Sequence, residues 1–382
     1  MVHRNAIMVC ISVAILLGIG IVMLTSTSVW IESEATRYSH LRKQTMWMFV
    51  GLATAWFLAG VDYRAMRKKK WLIFTGFGVS TILLAIIYIP SIGHTVNGST
   101  RWIKLPGLGN FQPSEMAKVT TIVAMAAWYT HFQSERRRLI KGFLAPSVIL
   151  GVPAVLILFE KDMGTAASLG AAGLCVIYIA GVRLRYLIPS VLGAGYAFYM
   201  FVKMDENRWN RIMAFLDMEA HKMGYAYQQY RGRLAFGNGG IEGVGIGNGA
   251  EKHGYLPYAH TDFIFPVIGE ELGWVTLLVV LCFVVYTVFG FMIAMRANDI
   301  FGRLLAIGLT SVIVIPAMVN IGVTTVVLPN TGLPLPFVSY GGSNLVITIA
   351  SVGLLLSVHR GTKVDKTSEL LTVKGKLIDT RL

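Results

Sequence analysis

Apolar residues in this chain are gathered into long blocks with short polar stretches between them, rather than spread at the spacing of a globular core. Blocks about as long as a helix needs to cross a bilayer fall near 6–25, 44–60, 71–89, 115–133, 143–159, 164–181, 186–203, 263–294, 304–328 and 344–358. The pattern predicts an all-α polytopic membrane protein with about ten transmembrane helices. The first block ends without a small-residue cleavage site and is expected to be a retained first helix. An even number of spans places both termini on one side.

Charge fixes which side. His3-Arg4, Arg64 to Lys70, Arg136-Arg137-Arg138 with Lys141, Arg183 and Arg185, Arg296 and Arg303, and the tail from Arg360 lie in alternate connections. Basic residues in short connections mark the cytoplasmic face, so both termini are expected there. The outer face then carries Thr25–Lys43, Pro90–Gln112, a tight turn at Glu160-Lys161-Asp162, Pro329–Ser343, and a large outer loop (204–261) between helices 7 and 8. Residues 1–358 form a single transmembrane domain, and 359–382 a polar cytoplasmic tail expected to be mobile.

Composition agrees: 54% of the 382 residues are hydrophobic and 14% charged. A net charge of +14 could suggest nucleic acid, but the basic residues sit in the connections and serve topology, so no nucleic-acid partner is expected. Cys10, Cys175 and Cys282 lie far apart inside apolar blocks and imply neither a disulfide nor a thiolate metal site.

Charged groups at membrane depth are costly and point to function. In "FQPSEMAKV", Glu115 and Lys118 share one helix face at i, i+3, either as a structural ion pair or as a lysine held to receive an anionic head group. Upstream, Arg101 suits a diphosphate, and Trp102 suits the lipid–water boundary. Asp162, in "FEKDMG", either caps the sixth helix or takes part in chemistry. In "YAHTDFIFPVIGEELG", Thr261 or Asp262 is expected to cap the eighth helix, leaving Pro266 in its first turn. A carboxylate at Asp262 could take a proton from a sugar hydroxyl, and capping explains it equally well. Glu270 lies about two turns deeper on nearly the same face and is a second substrate-site candidate, whereas Glu271 points to the opposite face and into the bundle. Ser339, Tyr340 and Ser343 mark a Pro-rich outer loop, either as donors to a substrate or as a turn satisfying its own backbone. The glycines of "FGNGGIEGVGIGNG" lack the strand-to-helix context of a nucleotide fingerprint and are expected to be flexible or turning backbone.

Three stretches in register, "RWIKLPGLGNFQPSEMAK", "YLPYAHTDFIFPVIGEELG" and "LPLPFVSYGGSNL", resemble the SEDS family (shape, elongation, division and sporulation), the membrane glycosyltransferases FtsW and RodA. The resemblance covers nearly the whole chain. It implies polymerisation of lipid II into peptidoglycan strands at the outer face of the bacterial cytoplasmic (inner) membrane. It also implies that Asp262 activates the acceptor hydroxyl, with cationic groups, here Arg101 and Lys118, at the departing diphosphate and Glu115 orienting Lys118. A class B penicillin-binding protein transpeptidase is the implied partner, together with other division proteins. A divalent cation (Mg or Mn) at the diphosphate is implied without any ligand spacing to show it. "VNGSTRWI" and "GVGIGNGAEKHGYLPYAHTDFIF" look closer to division-type FtsW than to elongation-type RodA, which points to the division septum. The chain departs from the family at Glu160-Lys161-Asp162, usually Gln-Pro-Asp; at Tyr258, usually Glu; and at Tyr230-Arg231, usually Gln-Ser. A lipid II flippase would distribute charges through the membrane depth, whereas here they cluster outward. A non-catalytic division scaffold would need Asp262 only for folding.

Overall fold

The structure, a computed structural model, describes residues 2–31, 38–89, 92–96, 99–105 and 109–379. The chain runs through helices α1 (Val2–Ile31), α2 (Ser39–Gly60), α3 (Tyr63–Lys68) and α4 (Lys70–Ile86), then a small sheet, then α5 (Pro113–His131). A π-helical turn, Leu139–Leu144, leads into α6 (Ala145–Phe159), followed by α7 (Met163–Ile179) and α8 (Leu184–Lys203). Next come α9 (Glu206–Leu216), α10 (Met218–His221), α11 (Tyr227–Gly239), α12 (Ile264–Leu272), α13 (Val275–Met295), α14 (Ile300–Thr324) and α15 (Gly342–Asp379). Polar side chains mark several starts: Asp62, Asp162, Asp205 and Asp299 each accept a backbone N–H at the head of α3, α7, α9 and α14. Pro113 opens α5, where its missing N–H costs nothing.

α14 is the spine. It is apolar all round and buried along most of its length, as a central helix must be, and it packs against α13, α7, α5 and α15. α2 lies along α15, and α1 along α13. Large apolar side chains such as Trp56, Phe57, Trp71 and Leu192 face outward, an arrangement suited to lipid rather than water. Each apolar block of the sequence is largely helical. Among the described residues five helices are long and apolar enough by themselves to cross a membrane, or six if α8 and α9, bent by 101° at their junction, form one span. The chain is a multi-pass membrane protein.

The all-α membrane body stands, and strands β1 (Gly93–Val96), β2 (Ser99–Leu105) and β3 (Gly109–Phe111) add a small antiparallel sheet before α5. Other expectations are refined. The eighth block, 263–294, is two helices broken at Gly273 (φ 53), where an added Cβ would strike the Ile241 carbonyl. Loop 204–261 is not irregular throughout, since α9, α10 and α11 lie between residues 206 and 239. The expected mobile tail begins inside a helix, with α15 continuing to Asp379.

Candidate functional site

The stretch 258–263 forms turns, with Phe263 N–H donating to the Tyr258 carbonyl, so α12 starts at Ile264. Neither Thr261 nor Asp262 caps it: the N-cap position falls on Phe263, which offers no side-chain cap. Pro266 sits in the first turn as expected. Asp262 is held through its main chain. Asn320 of α14 donates from its side-chain amide to the carbonyls of both Asp262 (2.7 Å) and Leu333 (2.6 Å), bridging the turn to the Pro-rich loop. Ser339 Oγ donates to the Thr261 carbonyl (2.7 Å) and accepts from Leu335 N–H (2.7 Å), while Tyr340 N–H donates to the His260 carbonyl (3.0 Å). Gln44 of α2 clamps the same loop, donating to the Ser339 carbonyl and accepting from Gly341 N–H. Gly332 (φ 71) passes so close to Asp262 Oδ2 that a Cβ there would lie 3.3 Å away.

The Asp262 carboxylate itself accepts no hydrogen bond among the described residues, although its backbone is tied on several sides. Burial pushes this carboxyl up to about 7, with the charge of Asp162 adding and those of Arg101 and Arg211 offsetting. A base poised near neutrality is suited to moving a proton.

Arg101, on β2, faces the turn between α6 and α7. It donates to the carbonyls of Glu160 (3.3 Å) and Lys161 (2.6 Å), and its Nη1 lies 3.6 Å from Asp162 Oδ2. Asp162 also caps α7 through Thr165 N–H (3.0 Å) and accepts from Gln112 (3.3 Å). Lys161 adopts φ 61, which proline cannot, so this turn differs from the Gln-Pro-Asp usual in the resembled family. Both oxygens of Glu160 are buried without a hydrogen-bond partner among the described residues. Burial first, and Asp162 second, push its carboxyl up to about 9 against the pull of Arg101. At neutral pH it is a neutral side chain the size of the usual glutamine.

The other candidates are committed elsewhere. Lys118 Nζ lies 2.9 Å from Glu115 Oε2, which also accepts from Asn344 of α15 (3.0 Å), and both members of the pair are buried. The void beside them measures about 10 Å³, room for about one water, so a diphosphate reaches Lys118 only if the bundle opens. Ser343 Oγ accepts from Gln112 N–H. Glu270 accepts from the backbone N–H groups of Ala250 (3.0 Å) and Glu251 (3.2 Å). It thus anchors the glycine-rich segment instead of facing Asp262. Glu271 pairs inside the bundle with fully buried Lys252, and Ser26 donates to it.

Arg101 thus pairs with Asp162, both act electrostatically on Asp262, and Ser339 through its hydroxyl and Tyr340 through its N–H support the turn. Asn320, Gln44 and Gln112 were not foreseen. The available signal was a polar amide within or beside an apolar block, which is costly unless its partners are built in. For a divalent cation, Asp162 is already paired and Asp262 stands alone. No group of three or more His, Cys, Asp or Glu converges among the described residues, and a hard cation needs several oxygen ligands. Among the described residues the protein groups alone do not form a closed cation site, and a cation at the diphosphate would take its remaining ligands from substrate phosphate and water.

A probable peptidoglycan glycosyltransferase FtsW of Trichlorobacter lovleyi is 40% identical over 358 residues, 92% of each chain. A protein of the same name from Coxiella burnetii is 37% identical, covering 91% of this chain and 94% of its own. Among solved structures, a chain from a peptidoglycan synthase complex that coordinates polymerisation and crosslinking superposes with a TM-score of 0.74 at 26% identity, covering 93% of this chain and 97% of that one. The Thermus thermophilus rod shape determining protein RodA shares the fold, with a TM-score of 0.67 over 92% of this chain and 95% of its own. Residues 7–364 match the FtsW/RodA/SpoVE family of cell cycle proteins, and the chain belongs to that family.

Proposed function

We propose that this protein is a peptidoglycan glycosyltransferase of the FtsW type, polymerising lipid II at the outer face of the cytoplasmic membrane for septal wall synthesis. The observation that carries the reading is Asp262: its backbone is fixed by Asn320, its carboxylate is left without a donor among the described residues, and its pKa is near neutral. In the reaction, Asp262 takes the proton of the acceptor sugar hydroxyl as that oxygen bonds to the anomeric carbon of the donor. The bond from that carbon to the diphosphate oxygen breaks, and the lipid diphosphate leaves with the electron pair. A guanidinium suits the growing negative charge. Arg101 has donors beyond the three contacts it makes to the 160–162 turn. Lys118 joins it only on opening.

A transpeptidase of the penicillin-binding class is the expected partner. Support comes from the structural neighbour, which belongs to a synthase complex that coordinates polymerisation with crosslinking. Other division proteins would then place the pair at the septum.

The test is glycan-strand synthesis from lipid II by the full chain with its cognate transpeptidase, wild type against Asp262→Asn. Asparagine keeps the size of the side chain and the main-chain bond to Asn320 but cannot act as base. The expected loss is at least about 100-fold, with the melting temperature of the variant no lower than that of wild type. Normal polymer from the variant would overturn the assignment of the base. Wild type that yields no polymer within a folded complex would favour a flippase or scaffold.

A further inference from the structure

On the opposite face of the bundle from Asp262 lies an open recess of about 450 Å³. It is lined by Arg67, Gln133, Arg136, Asn298, Asp299 and Arg303. Three elements meet there: the end of α3, the stretch after α5, and the first turn of α14. Along α14, Arg303 stands about 26 Å from Asn320 at 1.5 Å per residue, so the recess and the Asp262 turn occupy opposite ends of the same helix.

The charges in this recess do not balance. Asp299 is fully employed: Oδ1 accepts from Gly302 N–H (2.7 Å) and the Tyr63 hydroxyl (3.2 Å), and Oδ2 lies 3.2 Å from Arg67 Nη1. It answers Arg67 and leaves the other two guanidinium groups. Glu135, the nearest acidic residue in sequence to Arg136, is taken by Arg138 and Lys141, both at 2.8 Å. Arg136 and Arg303 therefore face one cavity without an acidic partner among the described residues.

The positive-inside bias explains why basic residues populate this face, but a topological charge needs only to reach water. Arg137, Arg138, Lys68 and Lys69 do that and are exposed. Arg136, by contrast, is partly buried and turned into the recess. Convergent guanidinium forks flanked by neutral amide donors match the oxygens of a phosphate ester. The volume lies within the roughly 300–1,000 Å³ usual for small-ligand sites. Ile140 and Met295 expose apolar surface on this same face, giving acyl chains somewhere to lie. Basic pockets between transmembrane helices on this side of a bilayer suit phosphate head groups.

We propose that this recess is a binding site for a phosphate-bearing anion, and that the anion is the head group of an anionic lipid in the adjoining leaflet. The site lies outside the machinery around Asp262, so binding rather than activity is the readout. The full chain is reconstituted in nanodiscs of mixed phosphatidylcholine and phosphatidylglycerol, and the lipid retained on release is measured by native mass spectrometry.

Wild type should retain phosphatidylglycerol selectively. Arg136→Gln or Arg303→Gln should each lower that retention about fivefold, the worth of one cationic side chain at a membrane surface. Arg137→Gln with Lys69→Gln, which removes two exposed charges outside the recess and leaves Glu135 paired, should leave it unchanged. Equal loss in both sets would reduce the site to diffuse surface charge and overturn the proposal, as would unchanged retention in the recess variants. Pyrophosphate added to protein in phosphatidylcholine alone separates the two sources of phosphate. If pyrophosphate raises the melting temperature of wild type but not of Arg136→Gln, while phosphatidylglycerol is not selected, the lipid assignment fails in favour of a soluble anion. Melting in phosphatidylcholine checks that the variants fold. Arg303 is exposed and its side chain makes no hydrogen bond or ion pair among the described residues, so its variant tests the site with little cost to folding.

Discussion

Asp262 is fixed by its carbonyl and left open at its carboxylate, and that division has a consequence for pH. Its folded-state pKa of about 7 lies above the ordinary aspartate value of about 3.9. Between those values the folded chain binds more protons than the unfolded one, so stability falls as pH rises from about 4 to about 7 and stays low above it. Asp262→Asn removes this cost. The variant should melt higher than wild type at pH 8, by up to a few kcal/mol, and equally at pH 4, whereas glycan synthesis by wild type should rise through about pH 7. Thermal melts and initial rates across that range check both halves, and a wild type that is most stable at pH 8 would sink the assignment. Sequence made Asp262, Arg101 and Asp162 visible because carboxylates and guanidiniums at the edge of apolar blocks are costly. It could not show that Asn320 holds the turn. That amide lies 58 residues from Asp262 in sequence, and only the packing of α14 brings them together.

At the scale of elements, the short helix α12 is lashed to the glycine-rich segment. Val244 and Gly245 donate their N–H groups to the carbonyls of Glu270 and Glu271, and Trp274 N–H donates to the Ile241 carbonyl. The carboxylates complete the lashing, Glu270 on the amides of Ala250 and Glu251, and Glu271 on Gly247 N–H (3.1 Å) and Lys252. Gly243 (φ 78) has no room for a Cβ beside the Glu271 carbonyl, so these glycines serve close approach more than flexibility. Removing one partner of the buried pair leaves the other charge stranded. Lys252→Met should therefore cost about 3–5 kcal/mol, whereas Lys222→Met, which breaks an exposed pair with Glu219, should cost under about 1 kcal/mol. Denaturation in matched detergent distinguishes them, and equal losses would show that the buried pair is not structural. Helix positions were legible from apolar blocks, because span length is set by the bilayer. The break at Gly273 was not, since its cause is a loop carbonyl some thirty residues upstream, at Ile241. The sheet before α5 was missed because its strands are no longer than seven residues and lie in a segment that reads as a connection.

In the whole molecule α14 joins two faces with different chemistry, the Asp262 turn near Asn320 and the arginine-lined recess near Arg303. The charge asymmetry of the connections made that polarity readable, but not the close packing that fixes the distance between the faces. Where α14 passes α5 and α7, Gly308 sits against Ile122 and Val176, and a Cβ at that position would overlap Ile122. The absent side chain thus sets how closely three helices approach, and one of them carries a site residue, Asp162 at the head of α7, while α5 carries the buried Glu115–Lys118 pair. Gly308→Leu forces them apart without touching any of those side chains. Overpacking of this kind costs about 1–3 kcal/mol, so the variant should still fold at reduced melting temperature. Glycan synthesis should fall further than the lost folded fraction explains, because the Arg101–Asp162 turn shifts relative to Asp262. Gly170→Leu, on α7 but with open space around it, should leave both quantities unchanged. Activity measured per folded molecule is the discriminating quantity. If Gly308→Leu retains full activity once corrected for its folded fraction, the spacing of α5, α7 and α14 does not govern the site, and the turns around Asp262 are sufficient by themselves.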